Sequence, residues 1–432
     1  MEIFLYAALG IATMAMLTPL HEWHKKHARV MHEFAGWDMP IEYNGAQGGI
    51  LNEHVAVRTS AGIFDVSHMG RALISGWRAA EMLQYVLTND VAKLDVGQAQ
   101  YSFLVRGGEG GKPETLDDVY LYRTVNKGYL IVVNAANATK DIEYLAAQSR
   151  EFGVDFVNAT QNLSLIAIQG PKSRQMLEQM VDSSIPTAAN RISPVAFNTG
   201  GYGLLSTTGY TGEHTRFEAF VPASYAVTFW EALIESGAAP VGLGARNTLR
   251  TEAGLLLYGH DINEGISPIE AGMGFAVKPG KSAATVGKQF YEAQQASQRA
   301  GKLGRYLVQM ELSQPRGTEP RDKDGVPGPT SKIILGGQTV GEITSGTVAP
   351  LVLYQNGAML LDGNGSPKTA RRGLAIGYAS TPLAAGTEVS VLIRGEGKSV
   401  AAMVMSGFLD KRTPLVIGGL QYTAPLSHYV HN

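Results

Sequence analysis

Hydrophobic positions between residues 18 and 300 follow two different spacings. Short apolar runs bounded by Gly, Asn or Pro are typical of strands, and they occur at Tyr101–Val105, Val119–Tyr122, Tyr129–Val133 and Leu163–Ile168. Helical spacing of apolar residues occurs at Ala79–Leu87, Ala138–Phe152, Pro171–Val181, Ala223–Glu235 and Arg246–Leu257. Because strands and helices are mixed without a regular strand–helix–strand alternation, the pattern favours an α+β fold.

The C-terminal part of the chain has a different pattern. From about Gly301 helical spacing disappears, and the strand-like runs Arg305–Glu311, Thr339–Thr344 and Val389–Ile393 alternate with Gly/Pro turns. This predicts a separate β domain over residues 301–432, either a small barrel or a jelly-roll. The stretch Pro315–Pro329 is rich in Pro, Gly and charge and is predicted to be an exposed loop.

The N-terminus carries an apolar run, Ile3–Leu17, preceded only by Glu2. It lacks the cationic start of a signal peptide, and it is short of the roughly 20 residues that span a membrane. We expect residues 1–17 to be an extension outside the fold or the product of a misassigned start. A membrane anchor is the less favoured alternative, and otherwise we expect no membrane partner.

Composition excludes several classes of function. At 432 residues the chain is too long for one core, so more than one domain is expected. The net charge is −2 and there is no basic stripe interleaved with aromatic residues, which argues against a nucleic-acid partner. There are no cysteines, which excludes disulfides, thiolate nucleophiles and cysteine-bound metal centres. The predicted location is the cytoplasm.

Two kinds of motif fail on closer reading. Gly280-Lys281-Ser282 and Gly397-Lys398-Ser399 resemble the end of a phosphate-binding loop, but Phe275 and Leu392 stand where that loop needs its first glycine. Four histidines crowd a predicted polar helix, His21–Glu33, at positions 21, 24, 27 and 32. Their spacing distributes them around the helix, so a solvated polar helix is favoured over a metal site.

Candidate chemistry begins at a pair of acids, Asp117 and Asp118, before the apolar run Val119–Tyr122. Adjacent residues of a strand point to opposite faces, so one acid can be solvated while the other faces inward. Taken alone, the pair is better explained as a turn followed by a cap.

Two further segments carry charges in unusual surroundings. Tyr210 lies between Gly209 and Gly212, which can let the backbone approach a flat ligand, and Glu218 begins an apolar run where an unpaired acid is costly. Arg246 and Arg250 are four residues apart with Glu252 close by; the simplest interpretation of those three is an ion network on one helix face.

Together these groups suit a reduced pterin with an acidic tail. One carboxylate matches the amino group and ring N–H on the edge of a pterin, and an arginine can bind the carboxylates of a p-aminobenzoyl-glutamate tail. Tyrosines supply flat apolar walls with a polar tip.

The chain resembles the glycine cleavage T-protein, or aminomethyltransferase, family from Thr18 to about Phe408. The matching phrases run in order along the sequence: Phe34–Pro40, Gly62–Met69, Leu116–Asp118, Val133–Asn137, Gln169–Pro171, Gly209–Glu213, Gly244–Arg246, Tyr258–Ile262 and Thr344–Thr347. The resemblance implies a three-domain cloverleaf around a central folate channel. Residues 18–300 would bind tetrahydrofolate as two intertwined subdomains, and residues 301–432 would form the C-terminal barrel.

The resemblance also implies roles for particular residues. Asp118 would lie beside the reactive nitrogens of the folate as the catalytic residue, Glu218 would hold the pterin edge, and Arg246 would lie near the folate and the entering substrate. The remaining matches line the site: Tyr101, Tyr122, Asn134 and Tyr210.

The implied reaction transfers an aminomethyl group from the lipoyl arm of a transiently bound H-protein to tetrahydrofolate. Ammonia is released and 5,10-methylenetetrahydrofolate forms, without a metal. Two alternatives remain open: a tetrahydrofolate-dependent demethylase of a small sulfur or oxygen methyl donor, and a non-catalytic folate-binding regulator.

Some positions depart from the family pattern. His214-Thr215-Arg216 lengthens the segment after Gly209–Glu213, which makes Glu213 a rival to Glu218 for the pterin. Asn247 replaces a usual Asp beside Arg246, residues 112–115 lengthen the predicted loop before Asp117, and the tail beyond Phe408 is long.

Overall fold

A computed structural model describes residues 15–45, 47–125, 128–281, 285–313, 326–355, 358–393, 397–409, 415–417 and 420–422. Most of the apolar run Ile3–Leu17 and most of the predicted loop Pro315–Pro329 therefore lie outside the described residues. Within the described ranges, no helix is both long enough and apolar enough to cross a membrane.

Eight α-helices are present in the part of the chain that the structure describes. In chain order they are α1 His21–His27, α2 Ile50–Thr59, α3 Ala79–Val86, α4 Ala138–Phe152, α5 Ser173–Glu178, α6 Ala226–Glu235, α7 Leu243–Glu252 and α8 Lys288–Arg299. Short 3₁₀ turns lie at Val91–Lys93, Glu109–Gly111, Ala135–Asn137, Ala223–Tyr225, Gly274–Ala276 and Pro279–Lys281.

The first thirteen strands precede residue 300. They are β1 Ala28–Phe34, β2 Trp37–Tyr43, β3 Gly62–Asp65, β4 Gly70–Ser75, β5 Ala99–Gly107, β6 Pro113–Arg123, β7 Tyr129–Val133, β8 Asp155–Asn158, β9 Leu163–Gln169, β10 Ile192–Ala196, β11 Tyr202–Ser206, β12 Arg216–Pro222 and β13 Ala239–Pro240. The later strands are β14 Tyr306–Leu312, β15 Lys332–Leu335, β16 Gln338–Val352, β17 Tyr354–Gln355, β18 Ala358–Met359, β19 Thr369–Ala379, β20 Glu388–Leu392, β21 Ser399–Met405, β22 Leu415–Ile417 and β23 Leu420–Tyr422.

Two large sheets and the two-stranded β1–β2 hairpin build the region before residue 300. One has five strands in the order β5-β6-β7-β4-β8, and the other has six in the order β10-β11-β12-β9-β3-β13. Helices α3 and α4 cover the first sheet through a buried apolar cluster that includes Leu83, Leu145 and Ile131. A separate cluster, which includes Phe64, Tyr122 and Phe220, joins residues of both sheets. The two sheets therefore share a core, and β6 and β12 each contribute to it.

The region after residue 300 forms a closed barrel in the order β14-β19-β16-β15-β20-β21, with β21 pairing back to β14. Every pairing in it is antiparallel. Closure leaves no unpaired strand edge in the ring. The predicted α+β fold with a C-terminal β domain is confirmed, and this domain is a barrel rather than a jelly-roll.

Buried polar contacts connect the barrel to the first region. Arg250 on α7 donates to the Ser345 hydroxyl of β16 at 3.0 Å, and Arg372 on β19 forms an ion pair with Glu252. Tyr378 on β19 donates to the Asp261 carbonyl at 2.7 Å. The last turn of α7 is thus held by barrel residues.

The predicted helix Ala79–Leu87 ends one residue earlier, and Ala223–Glu235 begins with a 3₁₀ turn, while three other predicted helices differ more from the structure. The helix predicted over His21–Glu33 ends at His27, because Ala35 and Gly36 adopt positive φ and turn the chain into the β1–β2 hairpin. The helix predicted over Arg246–Leu257 begins at Leu243 and ends at Glu252, just before Gly254 at φ +69°. The helix predicted over Pro171–Val181 is confined to Ser173–Glu178. The predicted strands and the helix Ala138–Phe152 are confirmed.

Candidate functional site

One face of β6 presents Asp118, Tyr120 and Tyr122. Alternate residues of a strand point to the same side, and the rings of Tyr120 and Tyr122 lie 5.6 Å apart. The opposite face carries Val119 and Leu121 into the core beneath α3 and α4. The sequence pattern therefore sends one set of side chains inward and aligns an acid and two tyrosines on the other side.

Asp118 is fixed by two donors on that face. The Tyr101 hydroxyl donates to its carboxylate at 3.1 Å, and the Asn134 amide donates to the other oxygen at 2.9 Å. Burial, followed by the neighbouring charge of Asp117, raises the pKa of Asp118 to about 7. At neutral pH this carboxyl group can therefore both bind and release a proton.

Asp117 is the inward acid of the pair and is fully buried. It accepts hydrogen bonds from the Asn134 backbone N–H at 2.7 Å, the Asn134 amide at 2.9 Å and the Asn137 amide at 2.7 Å. A bulge at Leu116 shifts the register between β5 and β6 next to this pair. The interpretation as a turn followed by a cap is wrong, because both acids lie inside β6.

Glu218 lies on β12 and is held from two sides. Thr208 and Tyr122 donate hydroxyl hydrogen bonds to the same carboxylate oxygen, the latter at 3.2 Å. Thr208 in turn lies 2.6 Å from the Ser206 hydroxyl of β11. Burial, and next the charge of Glu218, raises the pKa of Tyr122 well above its ordinary value, so that tyrosine remains a donor. The other carboxylate oxygen takes no hydrogen bond from these three groups.

Arg246 projects from α7 over the ring of Tyr210, with 4.8 Å between its guanidinium carbon and the ring centroid. Its Nη1 is buried and has no hydrogen-bond partner among the described residues. Burial lowers the pKa of Arg246, and the nearby Tyr210 and Glu218 act in the opposite direction. A buried guanidinium nitrogen without an acceptor is costly unless a ligand supplies one.

The seven predicted site residues lie together. Tyr101 donates to Asp118, and its ring centroid lies 6.0 Å from that of Tyr120. The ring of Tyr120 lies next to that of Tyr122, which donates to Glu218. The charge of Asp118 contributes, after burial, to the raised pKa values of Tyr101 and Tyr210. Asp118, Glu218 and Arg246 therefore face one set of aromatic rings rather than separate surfaces.

The glycines beside Tyr210 serve packing rather than ligand approach. A Cβ at Gly209 would lie 2.3 Å from the Gln169 amide, and one at Gly212 would lie 2.6 Å from the Ala253 Cβ. Gly212 also has φ +78°, which disfavours any side chain. These contacts seat the Tyr210 segment against β9 and the end of α7, and the Tyr210 hydroxyl donates to the Leu256 carbonyl.

The predicted ion network on one helix face is wrong. Arg250 binds Asp261 at 2.7 Å, whereas Glu252 accepts from His54 at 3.0 Å and pairs with Arg58 and Arg372. A helix turns about 100° per residue, so these side chains leave α7 in different directions and find partners on other elements.

Glu213, the rival acid for the pterin, is engaged elsewhere. It is buried, and one carboxylate oxygen forms an ion pair with Arg58, which also pairs with Glu252. Burial raises the pKa of Glu213, and Arg58 opposes the rise. Among the described residues, Glu218 accepts a hydrogen bond from Tyr122 on β6, whereas Glu213 accepts from Arg58.

Two departures from the family pattern also have structural explanations. Asn247 is exposed and accepts a hydrogen bond from Arg250 at 2.9 Å, so its contact is with Arg250 rather than Arg246. The predicted loop over residues 112–115 is largely strand, since β6 begins at Pro113, and the Thr115 carbonyl accepts a hydrogen bond from Tyr258.

Sequence reasoning missed two aromatic residues of the site. Tyr120 lies between Asp118 and Tyr122 at the spacing of one strand face, so the alternation could have revealed it. Phe275, in the turn Gly274–Ala276, stacks on Tyr101 at 6.0 Å while remaining 60% exposed. No local pattern identifies Phe275, because its position depends on a contact between segments 174 residues apart.

The crowded histidines are partly buried in the fold. His24 lies between Asp65 at 3.0 Å and the Tyr43 hydroxyl at 2.9 Å, and His21 contacts Asp38 at 2.8 Å. The prediction of a solvated helix is therefore wrong for these two residues. Within the described ranges, no three His, Asp or Glu side chains are grouped so that they could hold a metal ion.

Comparisons with known proteins identify relatives along most of the chain. Residues 20–281 match the family model described as the GCVT N-terminal domain. An aminomethyltransferase from Rubrobacter xylanophilus is 39% identical over 77% of this chain and 83% of its own length, and one from Thermus thermophilus is 39% identical over 85% and 97%. The crystal structure of glycine cleavage system aminomethyltransferase T from Bartonella henselae superposes with a TM-score of 0.70 at 29% identity, covering 90% of this chain and 97% of that chain.

Proposed function

This chain belongs to the GCVT family of aminomethyltransferases, and on that premise we propose the acceptor, the donor and the residues of its reaction. The enzyme is an aminomethyltransferase of the glycine cleavage system. The proposed acceptor is tetrahydrofolate, and the proposed donor is the aminomethylated lipoyl arm of the H-protein. The observation that carries the proposal is the convergence of Asp118, Glu218 and Arg246 on one group of tyrosine rings.

The residues of the site fit tetrahydrofolate chemically. Glu218 can accept from the amino group and ring N–H of the pterin edge, since Tyr122 and Thr208 both occupy the same carboxylate oxygen. The unpaired Nη1 of Arg246 supplies a donor for a carboxylate or another acceptor of the folate or the entering substrate. Tyr101, Tyr122 and Tyr210 offer flat walls for aromatic rings.

Asp118 is the proposed catalytic residue. Tetrahydrofolate supplies the nucleophilic nitrogen and carries the one-carbon unit away. The ionised Asp118, held by Tyr101 and Asn134, orients the N–H groups of the acceptor and takes part in proton movement beside them. Its pKa of about 7 lies near the operating pH, where a proton-transferring group is most effective.

One assay tests the proposed function directly. Ammonia formation is measured from aminomethylated H-protein with and without tetrahydrofolate, together with formation of 5,10-methylenetetrahydrofolate. We expect rapid ammonia release that depends on tetrahydrofolate. Methyltetrahydrofolate formed from a free small methyl donor, without ammonia release from the carrier, would instead identify a demethylase. Tight folate binding with turnover of neither substrate would identify a regulator.

A further inference from the structure

A third carboxyl group, Asp141, lies behind the Asp117–Asp118 pair. It belongs to the first turn of α4 and is fully buried. Neither of its oxygens accepts a hydrogen bond from an N–H or O–H donor among the described residues. Asn137, one helical turn before Asp141, donates to Asp117 at 2.7 Å, so the Asp141 carboxyl group lies on the helix face turned toward Asp117, whose charge is its main influence after burial. Because two carboxylates can only accept, a hydrogen bond between them requires a proton on one of the two acids.

The surroundings of the two acids place that proton on Asp141. Asp117 already receives three N–H donors, two from Asn134 and one from Asn137, which favour its ionised form. Asp141 has no such donors, and burial followed by the charge of Asp117 raises its pKa to about 10. Lys140 and the start of α4 favour an anion, and Asp118 opposes it, but burial is the largest influence.

A continuous set of contacts leads from Asp141 to the reacting face. Asp117 holds both the backbone N–H and the side-chain amide of Asn134. The same amide nitrogen lies 2.9 Å from the Asp118 carboxylate and 3.1 Å from the Asp118 carbonyl. The orientation of Asn134, and with it that of the Asp118 carboxylate, therefore depends on how the Asp117 carboxylate is held.

We propose that Asp141 is a positioning residue for the aminomethyl transfer, an inference that rests on the proposed function: its carboxylic acid donates a hydrogen bond to Asp117, and Asp117 fixes Asn134 against Asp118. The proton remains on Asp141 throughout. Asp141 does not touch the substrate and acts through two intervening side chains.

The test compares substitutions that keep or remove the donor. Asp141→Asn keeps the shape and offers an amide N–H to Asp117, whereas Asp141→Leu keeps similar bulk without a donor. Asp141→Ala is measured beside Asp141→Leu, so that the result does not depend on one variant folding. Glu143→Leu, at an exposed acid of the same helix, is the matched control. For each variant, kcat for ammonia release, KM for tetrahydrofolate, Tm and the pH profile are measured.

We expect kcat of Asp141→Asn to stay within about threefold of the wild-type value. In the two donor-free variants we expect kcat to fall roughly tenfold or more with little change in KM, because a small misplacement of a reacting group slows the reaction strongly. Without the donor from Asp141, the pKa of Asp117 rises further, which weakens the negative charge that raises the pKa of Asp118. The acidic limb of the profile therefore moves to lower pH in the donor-free variants only.

Stability separates this role from a structural one. When an acid is neutral in the folded protein and ionised in the unfolded chain, the free energy of unfolding decreases as the pH rises above the pKa of the acid in the unfolded chain. Replacing Asp141 by Leu should therefore leave Tm at neutral pH unchanged or higher. Wild-type kcat and an unshifted profile in both donor-free variants would overturn the proposal, as would equal losses in Asp141→Asn and Asp141→Leu. A wild-type enzyme without carrier-dependent ammonia release would instead refute the proposed function.

Discussion

Asp118 is the residue on which the proposed chemistry depends most directly. The change Asp118→Asn keeps the shape and the contact with Tyr101 but removes the ability to carry charge and exchange a proton. We expect tetrahydrofolate binding to be retained and turnover to fall by at least about 100-fold. Ammonia release and folate titration on the same preparation check both parts. Near-normal turnover in this variant would remove Asp118 from the mechanism.

The pKa of Asp118 also predicts how the rate depends on pH. Burial and the charge of Asp117 raise this pKa to about 7, and the ionised form is the proposed active form. Below that pH the acid is protonated, so kcat/KM should increase about tenfold per pH unit and level off above about pH 7. The profile of kcat/KM reports the free enzyme, and Asp118→Asn is the control that should lack this limb. A rate that decreases through this range would contradict the assignment.

Single residues were predictable where a strand face was regular. Asp118 and Tyr122 lie on the same face of β6, where every second residue points to the same side. Tyr120 lies between them at the same spacing, and yet it was not predicted as a site residue. Asp141 gave no such signal, since an acid in the first turn of a helix is ordinarily solvated. Its burial follows from the packing of α4 on the five-stranded sheet, which residue spacing does not specify.

At the scale of elements, the segment that enters β12 places two acids in opposite environments. Glu213 forms an ion pair with Arg58 next to α7, whereas Glu218 reaches Tyr122 on β6. The sequence left both as candidates for the pterin edge because they lie five residues apart. What separates them is the choice of neighbouring element, which depends on the pairing of β12 with β9 and β11.

Matched substitutions should separate these two acids. We expect Glu218→Gln to raise KM for tetrahydrofolate roughly tenfold or more, because it removes a charged hydrogen-bond acceptor from the proposed pterin edge, while Tm changes little. Glu213→Gln should instead lower stability by about 3–5 kcal/mol, because Arg58 loses a buried partner, with KM nearly unchanged. Folate titration and urea unfolding give the two readouts. The reverse pattern would assign the pterin to Glu213.

Local pattern predicted elements well where the pattern was long. The helix Ala138–Phe152 and the strand Tyr129–Val133 match the structure residue by residue. The helix predicted over His21–Glu33 failed at Ala28, where a tight turn at Ala35-Gly36 allows β1 to pair with β2. Pairing with a later strand outweighed the helical preference of that segment.

At the scale of the whole molecule, Asp261 joins the barrel to the region before residue 300. Its carboxylate accepts from Arg250 at 2.7 Å, from the Leu257 backbone N–H at 3.0 Å and from Thr344 of the barrel. Sequence indicated a change in character near Gly301, and the boundary at residue 300 stays a prediction. The contacts across it could not be predicted, because Arg250 and Ser345 are 95 residues apart in sequence.

The Asp261→Ala variant should make these two regions unfold separately. Removing the carboxylate leaves the buried Arg250 guanidinium without its ion-pair partner, a loss of about 3–5 kcal/mol, and withdraws the acceptor of Thr344. All four tryptophans, at positions 23, 37, 77 and 230, precede the barrel, so their fluorescence reports the region before residue 300 alone, whereas far-UV circular dichroism reports both regions. In wild type we expect the two urea transitions to coincide, and in Asp261→Ala we expect them to separate.

Glu342→Ala, which removes a surface ion pair with Lys332 on the barrel, is the control and should leave them coincident. Coincident transitions in Asp261→Ala would show that the regions are held together by other contacts, such as the Arg372–Glu252 pair.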